Sequence, residues 1–267
     1  MRYIGIGDIH GCFDELKVLM EYLIKNIYKD GDIFVFLGDY IDRGFQSKQV
    51  IDYLLELKEE YTCTFLKGNH EDMLNQNLGF SGNYGEYFLM NGGWHTLASY
   101  TDVRLPESYT EYKKMSREQK SALEEEYKIR IPHIKNYGSI VPDYQKVFSD
   151  NHKEFFKDLV LGLQTPFCLF VHSTVDVDYP LDKQCPKTVL WERNSDCLGW
   201  PTVVVHGHTP IKLEIIKNVE SYNKINIDTG CVFGDYLTAI VCDESQKPED
   251  WKLIHVSAKT KEVTESR

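Results

Sequence analysis

The chain has 267 residues, of which 42% are hydrophobic and 27% charged, a composition that excludes a disordered chain and suits one globular domain over residues 1–267. Acidic residues number 41 against 30 basic ones, and the net charge of −11 argues against non-specific binding to nucleic acid or to an anionic membrane. A phosphate-bearing substrate stays compatible with this charge, because exposed charges are screened beyond about 8 Å at physiological salt.

The sequence shows neither a membrane span nor a secretory signal. No apolar run approaches the roughly 18 residues that a span requires, and Asp8 and His10 interrupt the apolar stretch at the start of the chain. The seven cysteines are scattered and contain no C-x-x-C pair. We therefore expect reduced thiols and a cytoplasmic location.

The first eighty residues alternate between strand-like and helix-like patterns. Short apolar runs predict strands at Tyr3–Gly7, Asp32–Leu37 and Thr62–Leu66. Helical spacing predicts a helix after each strand, the second capped by Ser47 and the third at Glu71–Leu78. This alternation with uninterrupted apolar strands predicts a parallel sheet that is covered on both faces.

The second half of the chain is rich in predicted strands and poor in helical periodicity. We expect these strands to form a second layer packed on the first, which gives an α/β (α+β) fold, a two-layer β-sandwich flanked by helices. The predicted strands are Phe167–Val171, Thr202–Val205, Lys224–Ile227, Tyr236–Cys242 and Lys252–Val256.

Residues 79–160 have a different pattern. Stretches rich in glycine, asparagine and aromatic residues precede a charged, helix-like run at Ser116–Arg130. We predict a helical elaboration near the active site, in which the charged run is a solvated helix face.

Three polar motifs follow the first three predicted strands. They are Gly-Asp-Ile-His-Gly from Gly7, Gly-Asp-Tyr-Ile-Asp-Arg-Gly from Gly38, and Gly-Asn-His-Glu from Gly68. Because ligands bind at the carboxyl edge of an open α/β sheet, all three motifs should meet at one edge. Two later strands end in His172 and in the run from His206 to Pro210.

The side chains collected at this edge form a set of metal ligands. Oxygen and imidazole donors without thiolates suit manganese, iron or zinc as a divalent ion. Six donors exceed what one catalytic ion needs, and they suit two ions that share a carboxylate, for which Asp39 on the middle strand is the natural bridge. The six residues are Asp8, His10, Asp39, Asn69, His172 and His208.

Each motif alone has a simpler explanation. An isolated Asp-x-His is usually a turn, Gly-Asp pairs form turns, and a single buried histidine is usually part of the core. These explanations do not account for carboxylate, imidazole and amide groups at successive strand ends. Four further histidines lack such a context and receive no role: His95, His133, His152 and His255.

The three motifs, in this order, resemble the signature of the phosphoprotein phosphatase family of calcineurin-like metallophosphoesterases. They are most similar to its bacterial and phage-type members, such as the lambda phage phosphatase. The resemblance implies the calcineurin-like metallophosphoesterase fold. It extends over roughly residues 3–240, with 100–150 unmatched. Later segments that support it are Asn91-Gly92-Gly93-Trp94, Leu190-Trp191-Glu192-Arg193, Gly207-His208-Thr209-Pro210 and Ile227-Asp228-Thr229-Gly230.

The resemblance implies a role for each matched residue. Asp8, His10 and Asp39 would hold one metal ion, and Asp39 would share the second ion with Asn69, His172 and His208. Arg43 and Arg193 would bind the phosphoryl oxygens. His70, oriented by Asp42, would protonate the departing oxygen.

This chemistry needs no protein nucleophile. A divalent ion can lower the pKa of a bound water from 15.7 to about 7. A guanidinium matches two phosphoryl oxygens in a planar fork, and an imidazole is a common donor to a departing alkoxide. Two divalent ions, with manganese expected and iron or zinc as alternatives, are the implied cofactors.

Two substrate classes follow from the resemblance. The first is a phosphomonoester, which makes the protein a serine/threonine protein phosphatase with possible dual specificity toward phosphotyrosine. The alternative is symmetrical cleavage of diadenosine tetraphosphate, although those hydrolases usually carry alanine in place of Asp42. The expected partner is thus a phosphoprotein or a phosphorylated small molecule or nucleotide, without nucleic acid or membrane, and no oligomeric state is predicted.

Two further readings fit less well. Purple acid phosphatases and metallophosphodiesterases usually carry Gly-His-x-His, whereas Pro210 occupies the second histidine position here. A binding protein with a decayed site is disfavoured because all six ligand candidates and both arginines are present.

Overall fold

The computed structural model describes residues 1–136, 139–193, 196–216 and 223–266. Its strands are β1 Arg2–Ile6, β2 Ile33–Phe36, β3 Cys63–Phe65, β4 His133–Asn136, β5 Ser139–Pro142, β6 Gly162–Gln164, β7 Cys168–Val171, β8 Val203–His206, β9 Lys224–Asn226, β10 Tyr236–Asp243, β11 Lys252–Ser257 and β12 Val263–Ser266. Its α-helices are α1 Phe13–Asn26, α2 Ser47–Glu60, α3 Asn69–Asn77, α4 Gly93–Ser99, α5 Tyr109–Lys114, α6 Arg117–Arg130, α7 Tyr144–Val147, α8 Asp150–Lys157 and α9 Pro186–Trp191. Among the helices of these residues, none has the length and apolar character of a membrane span.

The larger sheet has six strands in the order β12-β11-β10-β1-β2-β3. Strands β1, β2 and β3 are parallel, as the first three apolar runs predict. Ile4 and Phe34 point into the core that α1 and α2 share, whereas Tyr3 and Val35 point into the core on the opposite face. The runs are continuously apolar because both faces of this part of the sheet are buried.

A second sheet, in the order β6-β7-β8-β9, packs on the first. Phe170 on β7 and Val205 on β8 share a buried cluster with Tyr3 and Val35. The alternate residues Leu169 and Val204 pack in another cluster that includes residues of α9. The fold is therefore a mixed α/β arrangement of two sheets flanked by helices, and the predicted fold class is confirmed.

The strands predicted at Tyr236–Cys242 and Lys252–Val256 are present, but they do not lie in the second layer where the prediction placed them. Strand β10 instead pairs antiparallel with β1, with Gly5 opposite Ile240, and β11 and β12 follow it. These strands therefore extend the first sheet. The pairing satisfies the backbone groups of β1 on the side away from β2, which burial would otherwise leave without partners.

Residues 79–160, apart from 137 and 138, which lie outside the described residues, contain helices α4 to α8 and a two-stranded β4–β5 hairpin that was not predicted. Helix α6 begins after Ser116, whose hydroxyl accepts a hydrogen bond from the backbone N–H of Gln119. Tyr127 is its buried residue, consistent with a solvated charged face. Leu97 and Phe156 from this region join the core of the first sheet.

Candidate active site

The loops at the carboxyl ends of β1, β2, β3, β7 and β8 carry the predicted site residues to one region. Five of the eight non-glycine residues with positive φ in the described part of the chain lie in these loops. This left-handed conformation costs about 1–2 kcal/mol per residue relative to the usual backbone, and such strain concentrates at functional sites. The five are His10, Asp39, Asp42, Arg43 and His208, with φ of 46°, 53°, 71°, 67° and 68°.

Asp39 is the centre of the cluster. One carboxylate oxygen lies 3.2 Å from Nε2 of His10 and 3.9 Å from Nε2 of His70. The other lies 3.4 Å from Nε2 of His172. Burial alone would raise the pKa of Asp39, yet His172, His70 and His10 hold that pKa well below its ordinary value. One oxygen therefore faces His10 and His70, and the other faces His172, an arrangement compatible with the predicted bridging role of Asp39.

The second group of ligands is equally compact. Oδ1 of Asn69 lies 3.1 Å from Nε2 of His172 and 2.9 Å from Nδ1 of His208. The two imidazole nitrogens are 3.2 Å apart. Asp39, His172 and His208 thus place one ligand atom each within 4.8 Å of one another.

Each of the three histidines predicted to bind metal has its other ring nitrogen against a backbone carbonyl. His10 Nδ1 lies 2.7 Å from the Ile41 oxygen, and His172 Nδ1 lies 2.8 Å from the Leu37 oxygen. His208 Nε2 lies 3.3 Å from a carbonyl of α9. Because that nitrogen must carry the proton to donate, the nitrogen facing Asp39 or Asn69 keeps its lone pair, which is the usual arrangement around a bound metal ion.

Asp8 is buried against the loop that carries Gly207 and His208. Both of its carboxylate oxygens accept hydrogen bonds from the backbone N–H of His208, each at 3.1 Å. Burial, followed by the charges of Asp228 and Asp39, raises the pKa of Asp8 well above its ordinary value. A cluster of buried acids of this kind is stabilised by cations.

Two glycines are required for the approach of these carboxylates. A Cβ on Gly68 would overlap Oδ1 of Asp39, and a Cβ on Gly207 would overlap Oδ1 of Asp8. The glycines of the Gly-Asn-His and Gly-His-Thr-Pro segments therefore let the backbone lie directly against the ligands.

The pair formed by Asp42 and His70 lies beside this cluster. Oδ2 of Asp42 is 2.7 Å from Nδ1 of His70, and both residues are fully buried. Thr96 of α4 donates to the other oxygen of Asp42. Nε2 of His70 is buried without a hydrogen-bond partner in the described structure and faces Asp39. Burial raises the pKa of Asp42 and lowers that of His70.

Ser47 has a different role from the predicted helix cap. Helix α2 has Gln46 at its N-cap position and no side-chain cap. The Ser47 hydroxyl instead accepts from the backbone N–H of Asp42 at 3.3 Å and lies 3.3 Å from the Thr96 hydroxyl. It therefore helps to hold the strained Asp42 loop.

Glu71 is a positioning residue that the sequence analysis did not identify. Its buried carboxylate accepts hydrogen bonds from the backbone N–H groups of Asp39 at 2.9 Å, Tyr40 at 2.8 Å, Ile41 at 3.3 Å and Gly68 at 3.0 Å. These contacts join the β2 loop to the start of α3. They hold Asp39 in its left-handed conformation.

The two predicted arginines have different surroundings. The Arg43 guanidinium touches Nε2 of His10 and is half-buried. His95, to which the sequence assigned no role, has Nδ1 2.7 Å from the Arg43 carbonyl oxygen. Arg193 is exposed. Burial is the main cause that lowers the pKa of His208 and of His172, and the charge of Arg193 adds to it. Arg43 thus adjoins the first ligand group and Arg193 acts on the second.

The metal-free protein is expected to lose stability as the pH rises from 6.5 to 8. Burial raises the pKa of Glu71 to about 8 and that of Asp228 to about 7. Each acid therefore keeps its proton to a higher pH in the folded chain than in the unfolded chain, and rising pH favours unfolding. Burial lowers the pKa of His95 to about 4 and that of His208 to about 3. These two histidines make the folded chain more stable as the pH rises, but only below their ordinary pKa of 6.5.

The measurement is the thermal unfolding midpoint in chelating buffers across this pH range. Added Mn²⁺ should remove most of this decrease in the unfolding midpoint, because a nearby cation favours the charged form of a carboxylate. A midpoint of the metal-free protein that rises with pH over this interval would be inconsistent with these buried acids.

Comparison with known proteins identifies the family. Residues 1–253 match the family model for calcineurin-like phosphoesterases. The asymmetrical bis(5'-nucleosyl)-tetraphosphatase PrpE of Bacillus subtilis is 29% identical over 249 residues, which cover 89% of each chain. The protein of the same name from Anoxybacillus flavithermus is 31% identical over 265 residues, which cover 90% of each chain.

Solved structures of other proteins share the fold of this chain. A structure described as a candidate diadenosine tetraphosphatase has a TM-score of 0.57 at 18% identity, covering 96% of this chain and 93% of its own. A cold-active protein tyrosine phosphatase has a TM-score of 0.57 at 15% identity, covering 99% of this chain and 78% of its own. By its sequence over residues 1–253, this chain belongs to the calcineurin-like phosphoesterase family.

Proposed function

We propose that this protein is a metal-dependent hydrolase that cleaves dinucleoside tetraphosphates asymmetrically, with water, into a nucleoside triphosphate and a nucleoside monophosphate. The supporting observation is the likeness, over about nine tenths of both chains, to two relatives of that name. The sequence alone favoured a protein phosphatase, with symmetrical cleavage of diadenosine tetraphosphate as the alternative. We now place asymmetrical cleavage of dinucleoside tetraphosphates first.

The ligand geometry fits two divalent ions. His10 and Asp8 would hold the first ion, and Asn69, His172 and His208 the second, with Asp39 shared between them. The support is that one oxygen of Asp39 faces His10 and the other faces His172, which with His208 forms a compact group of possible ligand atoms. When bound, such ions supply an activated water and neutralise phosphoryl charge.

The remaining roles belong to four side chains. Arg43 and Arg193 would bind phosphoryl oxygens, for which the planar guanidinium offers paired donors. The Asp42 carboxylate, 2.7 Å from Nδ1, would offset the burial that lowers the pKa of His70, and the resulting imidazolium would donate its Nε2 proton to the departing oxygen. These assignments rest on the unpartnered Nε2 of His70 and on the contact of Arg43 with His10.

A phosphomonoesterase that acts on phosphoproteins is the second candidate, and the Asp42–His70 pair favours it. A serine or threonine alkoxide is a poor leaving group and needs a proton as it departs. A nucleotide phosphate leaves as a stabilised anion and needs that proton less. The buried acid pair would then contribute more to monoester hydrolysis than to anhydride hydrolysis.

One experiment separates the candidates. Purified protein with Mn²⁺ is given diadenosine tetraphosphate or a phosphoserine peptide at equal concentration, with Asp39→Asn as the inactive reference, and the products are separated by anion exchange. We expect faster turnover of the dinucleotide and equal amounts of ATP and AMP. Two molecules of ADP would indicate symmetrical cleavage, and faster release of phosphate from the peptide would favour the phosphatase.

A further inference from the structure

A cavity of about 390 Å³ opens beside Arg43, away from the metal ligands. Its other walls come from the segment Leu89–His95 and from helices α5 and α6. None of the six metal-ligand residues lines it. Its volume lies within the range of small-molecule sites. A molecule that fills this cavity would therefore reach the active site at Arg43.

The cavity has an aromatic wall that continues to Arg43. Trp94, Tyr109 and Tyr112 line it, and each is half-buried. The Tyr109 ring centroid is 6.0 Å from that of Phe233, and the Arg43 guanidinium carbon lies 5.7 Å from the Phe233 ring centroid. Aromatic side chains are the usual platforms on which a nucleobase stacks.

Three lysines that do not line the cavity contact the rings of this wall, in a chain of net charge −11. Lys113 Nζ is 5.3 Å from the Phe233 ring centroid and 5.9 Å from that of Tyr109. Lys120 Nζ is 5.2 Å from the Tyr112 centroid, and Lys128 Nζ is 5.9 Å from the Trp94 centroid. A ligand that combines a flat aromatic group with several negative charges matches this surface.

The cavity also holds polar groups for the edge of a base or a sugar. The Glu124 carboxylate lines it and lies 3.5 Å from the Tyr112 hydroxyl. A carboxylate accepts hydrogen bonds from an exocyclic amine or from a ribose hydroxyl. This group would repel a phosphate, so the phosphates should lie at the Arg43 end and the base at the Glu124 end.

We propose that the cavity lined by Trp94, Tyr109, Tyr112 and Glu124 binds one nucleoside of the substrate, with its base against the aromatic wall and the attached phosphates directed to Arg43. This inference rests on the proposed function and names the part of the chain that recognises the nucleotide. The helical segment over residues 79–160 would then determine substrate choice, while the strand-end loops perform the chemistry.

The test compares substrates with and without a nucleoside. Tyr109→Ser and Tyr112→Ser should each raise the KM for diadenosine tetraphosphate by about 10-fold more than the KM for p-nitrophenyl phosphate, because base stacking is lost. Tyr112→Phe keeps the ring and should restore the parent value. Tyr179→Ser, at an exposed tyrosine outside the cavity, is the matched control and should change neither KM.

A second measurement keeps the inference separate from the proposed function. Calorimetry of the Mn²⁺-loaded protein gives the Kd for AMP and for ribose 5-phosphate, which lacks the base. We expect AMP to bind about 10-fold more tightly, and Tyr112→Ser to abolish the difference. Equal affinities in the parent protein would overturn the cavity assignment even if the dinucleotide is hydrolysed. Absent hydrolysis with base-dependent AMP binding would instead reject the function and keep the cavity.

Discussion

Replacing Asp39 by asparagine should reduce kcat/KM by about 1,000-fold or more and lower the bound Mn²⁺ per chain. Asp39 is the residue whose two carboxylate oxygens face both ligand groups, at 3.2 Å from His10 and 3.4 Å from His172. An amide has one acceptor oxygen and no charge, so it cannot bridge two cations. The expected loss corresponds to several kcal/mol of transition-state stabilisation supplied by metal ions.

The measurement combines steady-state kinetics with metal analysis after gel filtration. Asp52→Asn is the matched control, because Asp52 is a partly exposed acid that pairs with Lys48 and His152. The control should keep both the metal content and the activity of the parent. An Asp39→Asn variant that retained two ions and full turnover would show that Asp39 does not bridge them.

Replacing His70 by asparagine should lower kcat by about 100-fold to 10,000-fold, the usual contribution of a positioned general acid. The loss should be largest for substrates with poor leaving groups. His70 is fully buried, Nδ1 is held by Asp42, and Nε2 is unpartnered among the described residues. The metal content should stay close to that of the parent, since His70 is not one of the six proposed ligands.

The leaving-group series distinguishes this role from a structural one. Rates are compared on phenyl phosphate and on p-nitrophenyl phosphate, whose leaving group is the more acidic phenol. A general acid predicts a larger defect on phenyl phosphate, whereas a distorted site predicts equal defects on both. His133→Asn, at the start of β4, is the histidine control and should preserve activity on both substrates.

The sequence predicts that several polar residues from distant segments lie together, because their placement follows from local patterns. Apolar runs locate β1, β2 and β3, and the polar residues directly after them must lie at one sheet edge. The structure brings Asp39, His172 and His208 within 4.8 Å although about 170 residues separate the first from the last. The positions of the strand ends and the order of the strands in each sheet are sufficient to predict that these side chains lie close together.

Contacts made across the fold were not predictable in the same way. His95 holds the Arg43 carbonyl from a helix 52 residues away, and Glu71 binds backbone N–H groups of another loop. For neither residue does the sequence spacing or periodicity indicate which group it contacts. Strand β10 pairs with β1 and places Ile240 opposite Gly5. This pairing satisfies backbone N–H and C=O groups of β1, a requirement that no local sequence pattern shows.

The Ser47 side chain shows how tertiary structure can override a local preference. Serine near a helix start is usually a cap, and the pattern before α2 favours that interpretation. In the structure its hydroxyl accepts from the Asp42 backbone. The Asp42 loop gains a hydrogen bond there, and the start of α2 has no side-chain cap.

The most direct test of the dinuclear site is anomalous X-ray scattering from crystals grown with Mn²⁺. We expect two peaks about 3.5–4 Å apart. One should contact Asp8, His10 and Asp39, and the other Asp39, Asn69, His172 and His208. A single peak, or no peak, among these six side chains would contradict the proposed metal centre.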